Sequence, residues 1–77
     1  MNRTFVEERI AAVIEDTLGR PVSFQHNNEL EAFFEPEEFC VFQRLLAEEF
    51  DLRDESLVEQ AQTFYELILL IEDELFR

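Results

Sequence analysis

The sequence predicts an all-α fold, a small bundle of four helices, in a single domain spanning residues 1–77. Apolar residues recur at intervals of three and four in separate segments, which is the spacing of one helical face. Capping signals precede several of these segments, and the chain contains only one Gly and two Pro. A chain of 77 residues buries only about 60% of its unfolded surface, but nine Phe provide large apolar groups for a core.

The first helix is predicted close to the N-terminus. Thr4 and Glu7 have the spacing of a capping box, in which each side chain bonds to the backbone of the other. Gly19 and Pro21 end the helix, because Gly suits the left-handed position after a helix and Pro cannot continue it. One face carries the apolar residues Val6, Ile10, Val13, Ile14 and Leu18.

Residues 20–34 read as a long connection that is attached to the core. His26-Asn27-Asn28 indicates a turn, and Asn28 with Glu31 has the spacing to cap a single helical turn. A connection of this length needs such internal packing to stay ordered. The residues expected to attach it to the core are Leu30, Phe33 and Phe34, after a short alternation of Val22 and Phe24.

The second long helix is predicted from Pro36 to Phe50. Proline fits the first helical position, where its missing N–H is no loss, and the acidic residues around it favour the positive end of the helix dipole. The predicted buried stripe consists of Phe39, Phe42, Leu45, Leu46 and Phe50, and the opposite side consists of Glu37, Val41, Arg44 and Glu48.

Two interpretations fit the residues after Asp51-Leu52-Arg53. The periodicity of Leu57, Ala61, Phe64, Ile68, Ile71 and Leu75 permits one long helix. Ser56 with Glu59 and Thr63 with Glu66 both have capping-box spacing, however, and would divide the segment. We therefore predict a short helix at about 57–61 and a longer one from 64.

The balance of charge limits the partners of the chain. Nineteen acidic residues face six basic ones, and the formal net charge is -13. Direct binding to nucleic acid or to an anionic membrane needs clustered cations, so neither is expected. A basic protein surface is the expected partner.

Covalent chemistry and metal binding have little support in the composition. Cys40 is the only cysteine and His26 the only histidine, so neither a disulfide framework nor an ordinary zinc site is expected. We expect Cys40 to be a small apolar filler beside the buried stripe of the second long helix. No segment reaches transmembrane length and the N-terminus has no apolar signal region, so a soluble cytoplasmic protein is expected.

Taken in order, these elements resemble the acyl carrier protein family over nearly the whole chain. Three segments carry the resemblance: Glu8-Arg9-Ile10 through Leu18-Gly19, Leu45-Leu46-Ala47-Glu48-Glu49-Phe50-Asp51, and Thr63-Phe64-Tyr65-Glu66-Leu67-Ile68. The resemblance implies an acyl-carrier-protein-like four-helix bundle with a long loop between its first two helices and a short third helix.

The sequence departs from that family at its functional site. The family has an Asp-Ser-Leu triplet at the start of the second helix and attaches 4′-phosphopantetheine to the Ser, whereas the matching positions here are Glu35, Pro36 and Glu37. Proline has no hydroxyl, so no prosthetic group is expected at Pro36. Ser56, within Asp54-Glu55-Ser56-Leu57, is an alternative attachment site, although its capping role explains it without modification.

The resemblance, together with the missing carrier serine, implies a non-enzymatic, acidic interaction module. Carrier proteins are recognised through the second helix, whose acids meet Arg and Lys of their enzymes, so a carrier-protein-recognising enzyme is one possible partner. Arg44 interrupts the acidic pattern and departs from that mode of recognition. The predicted partner-binding residues are Glu37, Glu38, Val41, Arg44, Glu48 and Glu49.

Three alternatives remain open from the sequence. The chain has the size and charge of an acidic inhibitor that mimics nucleic acid, which requires carboxylates spread over a broad surface. The size and charge also fit a secretion-type chaperone, which requires an apolar groove or a dimer face. Apolar residues surplus to one face of the last helix, Leu69, Leu70 and Phe76, fit either a monomer with a partner contact or a weak dimer. A true carrier modified at Ser56 is the third alternative.

Overall fold

Four α-helices and one 3₁₀-helix account for most of the fold. The computed structural model describes residues 3–76, apart from the side chains of residues 3 and 55. The helices are α1 (Arg3–Leu18), α2 (Leu30–Phe33), α3 (Pro36–Phe50), the 3₁₀-helix (Glu55–Gln60) and α4 (Phe64–Leu75). The predicted all-α class is confirmed, and the second long helix of the sequence prediction is α3.

Helix α1 buries the apolar face that its periodicity predicts. Val6, Ile10, Val13 and Ile14 are all buried. Gly19 ends the helix as predicted, with a φ of +76° that suits a residue without a Cβ. The predicted cap at Thr4 is wrong, because α1 begins at Arg3 and Thr4 is already helical.

The connection between α1 and α3 is attached to α4 by its backbone and by an aromatic contact. The Tyr65 N–H donates to the His26 carbonyl at 2.9 Å, and the Phe64 N–H donates to the Asn28 carbonyl at 3.1 Å. The Phe24 ring stacks on the Phe64 ring with centroids 4.5 Å apart. Leu30 and Phe34 are buried and Phe33 packs against the core, which confirms the prediction that these three residues attach the connection to it.

The single helical turn predicted in this connection exists as α2, but its predicted cap is wrong. Glu29 precedes α2 and makes no side-chain cap. The Asn28 Oδ1 instead accepts from the Gln25 N–H at 2.8 Å and stabilises the turn before the helix. The preference of Asn for bonding to nearby backbone in turns explains why it serves the turn rather than the helix.

Helix α3 begins and ends where the sequence predicts. Pro36 is its first residue, and the Glu35 N–H donates to the Glu38 Oε1 at 2.9 Å, which satisfies one of the backbone donors at that end. Asp51 stops the helix with a φ of 53° in the left-handed region. The predicted stripe is confirmed at Phe42, Leu46 and Phe50, which are buried, while Phe39 and Leu45 are only partly buried.

The segment after α3 is divided, as the capping signals predict, but one of those signals was misassigned. Thr63 caps α4: the Glu66 N–H donates to the Thr63 Oγ1 at 3.3 Å, and the Thr63 N–H donates to the Glu66 Oε2 at 3.2 Å. The predicted Ser56 cap is wrong. Asp54, the residue before the short helix, caps it instead. This helix is a 3₁₀-helix over residues 55–60 rather than 57–61.

The core lies among α1, α3 and α4 and determines which side of α3 faces outward. Helix α3 packs against α1 and against the 3₁₀-helix, and α4 contributes Phe64, Leu67, Ile68 and Ile71 to the core. Of the apolar residues predicted to be surplus on α4, Leu69 and Phe76 are exposed, whereas Leu70 is partly buried.

Candidate functional site

Two surfaces of α3 are candidates for binding. The first, here called the α3 outer face, consists of Glu37, Val41, Arg44 and Glu48, which follow one another at helical spacing. Glu37, Arg44 and Glu48 are exposed and Val41 is partly buried. Among the described residues, none of these three charged side chains has an ion-pair partner within the protein.

The other two predicted contact residues already have internal partners. The Glu38 carboxylate accepts the Glu35 N–H at the start of α3. The Glu49 Oε2 accepts from the Arg9 Nε at 3.1 Å and also from the Arg9 Nη2, which ties the end of α3 to α1. The Arg9–Glu49 pair joins residues 40 positions apart, so helical periodicity within α3 gave no signal of it.

The position that matches the modified serine in the resemblance to acyl carrier proteins has no nucleophile. Pro36 is exposed at the first position of α3 and offers no hydroxyl. Ser56 is exposed at the start of the 3₁₀-helix, where its backbone N–H donates to the Asp54 Oδ1 at 2.9 Å. Hydrogen bonds from the Ser56 backbone N–H, and next from its hydroxyl, hold the pKa of the Asp54 carboxyl below its ordinary value.

The second surface is a groove between α3 and the 3₁₀-helix, here called the α3 groove. It has a volume of about 860 Å³, which is within the range of small-molecule and cofactor sites. Phe34 and Phe39 line its apolar wall, and Glu29, Glu31 and Glu59 bring carboxylates to it. Its lining contains no Arg, Lys or His among the described residues, so its local charge is negative.

Gln43 is an unexpected polar residue in the lining of the α3 groove. Its side chain is only 7% exposed, and its Nε2 is buried without a hydrogen-bond partner among the described residues. A buried donor left unsatisfied costs about 1–3 kcal/mol. Gln43 is not among the predicted site residues, although the sequence contains a signal for it: it lies four residues after Phe39 and three before Leu46, on the side of α3 that is otherwise apolar.

Cys40 lines the same groove, and its predicted role is wrong. The side chain is exposed rather than packed as an apolar filler. Helical spacing places Cys40 outside the buried stripe of Phe42, Leu46 and Phe50, so its side chain does not face the core. His26 does not line this groove; its Nε2 lies 2.6 Å from the Glu7 Oε1 and its ring stacks with Tyr65.

Exposed carboxylates are distributed over the whole described surface. Each of the five helices carries at least one, and α3 is not enriched relative to the others. By helix they are Glu8, Glu15 and Asp16 on α1, Glu31 on α2, Glu37 and Glu48 on α3, Glu59 on the 3₁₀-helix, and Glu66 and Asp73 on α4. The electrostatic field is therefore negative around the described molecule rather than on one helix only.

Further structural and comparative findings bear on the kind of site. Within residues 3–76, no group of three or more His, Cys, Asp or Glu side chains is arranged to hold a metal ion. Each described helix is too short or too polar to cross a membrane. Comparison of the chain with models of protein families, with curated proteins and with solved structures found no match.

Proposed function

We propose that this protein is a non-enzymatic, acidic interaction module that binds a basic surface of another protein through the α3 outer face. The observation that carries the proposal is the pair of exposed carboxylates of Glu37 and Glu48, on either side of the partly buried Val41, which have no ion-pair partner in the described part of the chain. The opposite side of α3 is anchored in the core by Phe42 and Leu46. The face is thus held rigidly, which lowers the entropy lost on binding.

The charges of this face define the partner. Glu37 and Glu48 favour Arg or Lys on the partner, and the net charge of -13 attracts a basic surface over a longer range. Arg44 lies between them, so the complementary surface has an acidic or hydrogen-bond-accepting group at its centre. An enzyme that recognises carrier proteins through their second helix is one partner class, provided that its basic surface also accommodates Arg44. Because Pro36 has no hydroxyl, the proposed module carries no 4′-phosphopantetheine there and transfers no acyl group.

The test compares two double variants that change the net charge equally. Glu37→Gln with Glu48→Gln removes two carboxylates from the α3 outer face, and Glu8→Gln with Glu15→Gln removes two exposed carboxylates from α1. Proteins captured from the native cell by the unaltered chain are quantified and their affinities measured at low and high salt. We expect the α3 variant to bind its partner about tenfold more weakly at low salt, and the α1 variant to bind almost as the unaltered chain does. Equal affinity of the α3 variant and the unaltered chain would overturn the proposal.

A second candidate function is supported by the distribution of charge. Exposed carboxylates lie on all five described helices, as an acidic inhibitor that mimics nucleic acid requires. Such an inhibitor occupies a basic groove with a broad surface, so the two double variants should lose affinity equally. Competition distinguishes the two functions further, because duplex DNA displaces a mimic from its partner and leaves a complex through the α3 outer face intact.

A further inference from the structure

We infer that the α3 groove binds a short basic peptide segment of the partner, with an Arg side chain on the aromatic wall and a backbone carbonyl at Gln43. This inference rests on the proposed function, since it names the part of a basic partner that the groove beside the α3 outer face receives. Three separate properties of the groove, its charge, its aromatic wall and its unsatisfied donor, specify this ligand.

The charge of the groove selects a cation. Glu29, Glu31 and Glu59 are exposed and reach the groove from three different elements: the residue before α2, α2 itself and the 3₁₀-helix. No basic residue among the described lining compensates for them. Carboxylates gathered in this way attract a ligand that carries positive charge and repel an anionic one.

The aromatic wall favours Arg over Lys as that cation. The Phe34 and Phe39 rings are inclined by only 18°, with centroids 6.2 Å apart, and Phe34 also stacks on Phe42 at 4.5 Å. The stack fixes the ring positions before a ligand arrives. Phe34 itself is buried, so the partly buried Phe39 is the ring of this wall that an Arg side chain reaches. A planar guanidinium stacks on an aromatic face and reaches a neighbouring carboxylate with its remaining donors, which a compact ammonium cannot do.

Gln43 sets the third requirement. Its Nε2 is a donor, so the ligand must present a hydrogen-bond acceptor. Its side chain is more than nine-tenths buried, and its Nε2 has no acceptor among the described residues. The last torsion of a Gln side chain has a broad energy profile, so the amide can rotate toward the groove when an acceptor is present. An extended peptide presents backbone carbonyls at regular intervals along its length, whereas an alkyl chain presents none.

The experiment uses short peptides and the full chain labelled with ¹⁵N. The probe is Ac-Gly-Arg-Leu-Arg-Gly-NH₂, the neutral control has citrulline in place of both arginines, and the anionic controls are Ac-Gly-Glu-Leu-Glu-Gly-NH₂ and sodium decanoate. Two readouts report on the groove: the side-chain amide signal of Gln43, and the rate at which iodoacetamide alkylates Cys40, the only thiol of the chain.

We expect the Arg peptide to shift the Gln43 amide signal and to slow alkylation of Cys40, and the three controls to do neither at the same concentration. Gln43→Met should weaken binding of the Arg peptide about tenfold while the chain stays folded. Glu31→Gln with Glu59→Gln should weaken it and reduce its dependence on salt, whereas Glu8→Gln with Glu15→Gln should leave it nearly unchanged.

The inference is overturned if the Arg peptide shifts signals outside the groove only, if Gln43→Met binds it as well as the unaltered chain does, or if decanoate and not the Arg peptide protects Cys40. Its failure is distinguishable from failure of the proposed function. The proposed function is tested by whether Glu37→Gln with Glu48→Gln loses the captured partner. That result does not depend on any groove residue.

Discussion

Replacing Gln43 with Met should make the protein more stable, because it removes a buried donor that has no partner. Gln43 is 7% exposed and its Nε2 is buried and unsatisfied. Met is unbranched like Gln and close to it in length, so the substitution keeps the shape of the side chain and opens no cavity. The change therefore isolates the polar amide from the packing around it.

The expected size of the effect follows from the cost of burying such a donor. An unsatisfied buried polar group costs about 1–3 kcal/mol, and we expect Gln43→Met to recover roughly 1–2 kcal/mol of it. In a domain of this length, 1 kcal/mol corresponds to about 4–8 °C in the midpoint of thermal unfolding. The rise is thus large enough to be measured by circular dichroism at 222 nm and checked by urea unfolding.

A matched control and a clear contrary result make the test decisive. Gln60→Met introduces the same side chain at an exposed position of the same groove, and it should change stability by no more than about 0.5 kcal/mol. If Gln43→Met lowered the free energy of unfolding by 1 kcal/mol or more, the amide of Gln43 would be hydrogen-bonded in the folded protein, and the reasoning from an unsatisfied donor would be refuted.

Three further predictions concern the ends of the helices and the ion pair between α1 and α3. Arg9→Gln and Glu49→Gln should each destabilise the protein by about 0.5–1 kcal/mol. In a double-mutant cycle the effects of these two substitutions on the free energy of unfolding should couple. Arg20→Gln is the charge-matched control and should show no coupling with Glu49→Gln. Ser56→Ala should raise the pKa of the Asp54 carboxyl part of the way to its ordinary value, since the backbone N–H of residue 56 still donates. Because the folded-state pKa is lowered, the stability that Asp54 contributes is present above its unfolded-state pKa and is lost as the pH falls through the folded-state pKa. Carbon NMR titration checks the pKa, and urea unfolding across this pH range checks the stability. Incubation with coenzyme A and a phosphopantetheinyl transferase should leave the intact mass unchanged, and a gain of one prosthetic group that Ser56→Ala abolishes would restore the carrier alternative.

The long helices were predictable because several local signals agree in each of them. For α3, a proline at the first position, acidic residues in the first turn and an apolar stripe all indicate the same element. Its last residue, Phe50, was also predicted correctly. The short elements were harder, since adjacent residues offered competing caps. Both Asp54 and Ser56 have side chains that cap helices, and the choice of Asp54 moves the start of the short helix by two residues.

The candidate site was less predictable than the fold, because its contacts join segments that are distant in the sequence. Glu49 has the spacing of a residue near the α3 outer face, yet Arg9 on α1 engages its carboxylate. The α3 groove forms only when α2 and the 3₁₀-helix lie beside α3, so its carboxylates come from separate segments. Periodicity assigns a residue to a face of its own helix and gives no information about which distant element covers that face.

Gln43 is the residue at which the fold and the proposed peptide binding make opposite demands. An apolar residue at position 43 would continue the stripe of Phe39, Phe42 and Leu46 and would bury no unpaired polar group. A glutamine lowers stability in the unbound protein, and it regains a hydrogen bond only when a ligand supplies an acceptor. A polar residue retained at a cost to the core is typical of functional positions. The same substitution, Gln43→Met, should therefore strengthen the fold and weaken peptide binding, and a purely structural role for Gln43 would not produce both effects together.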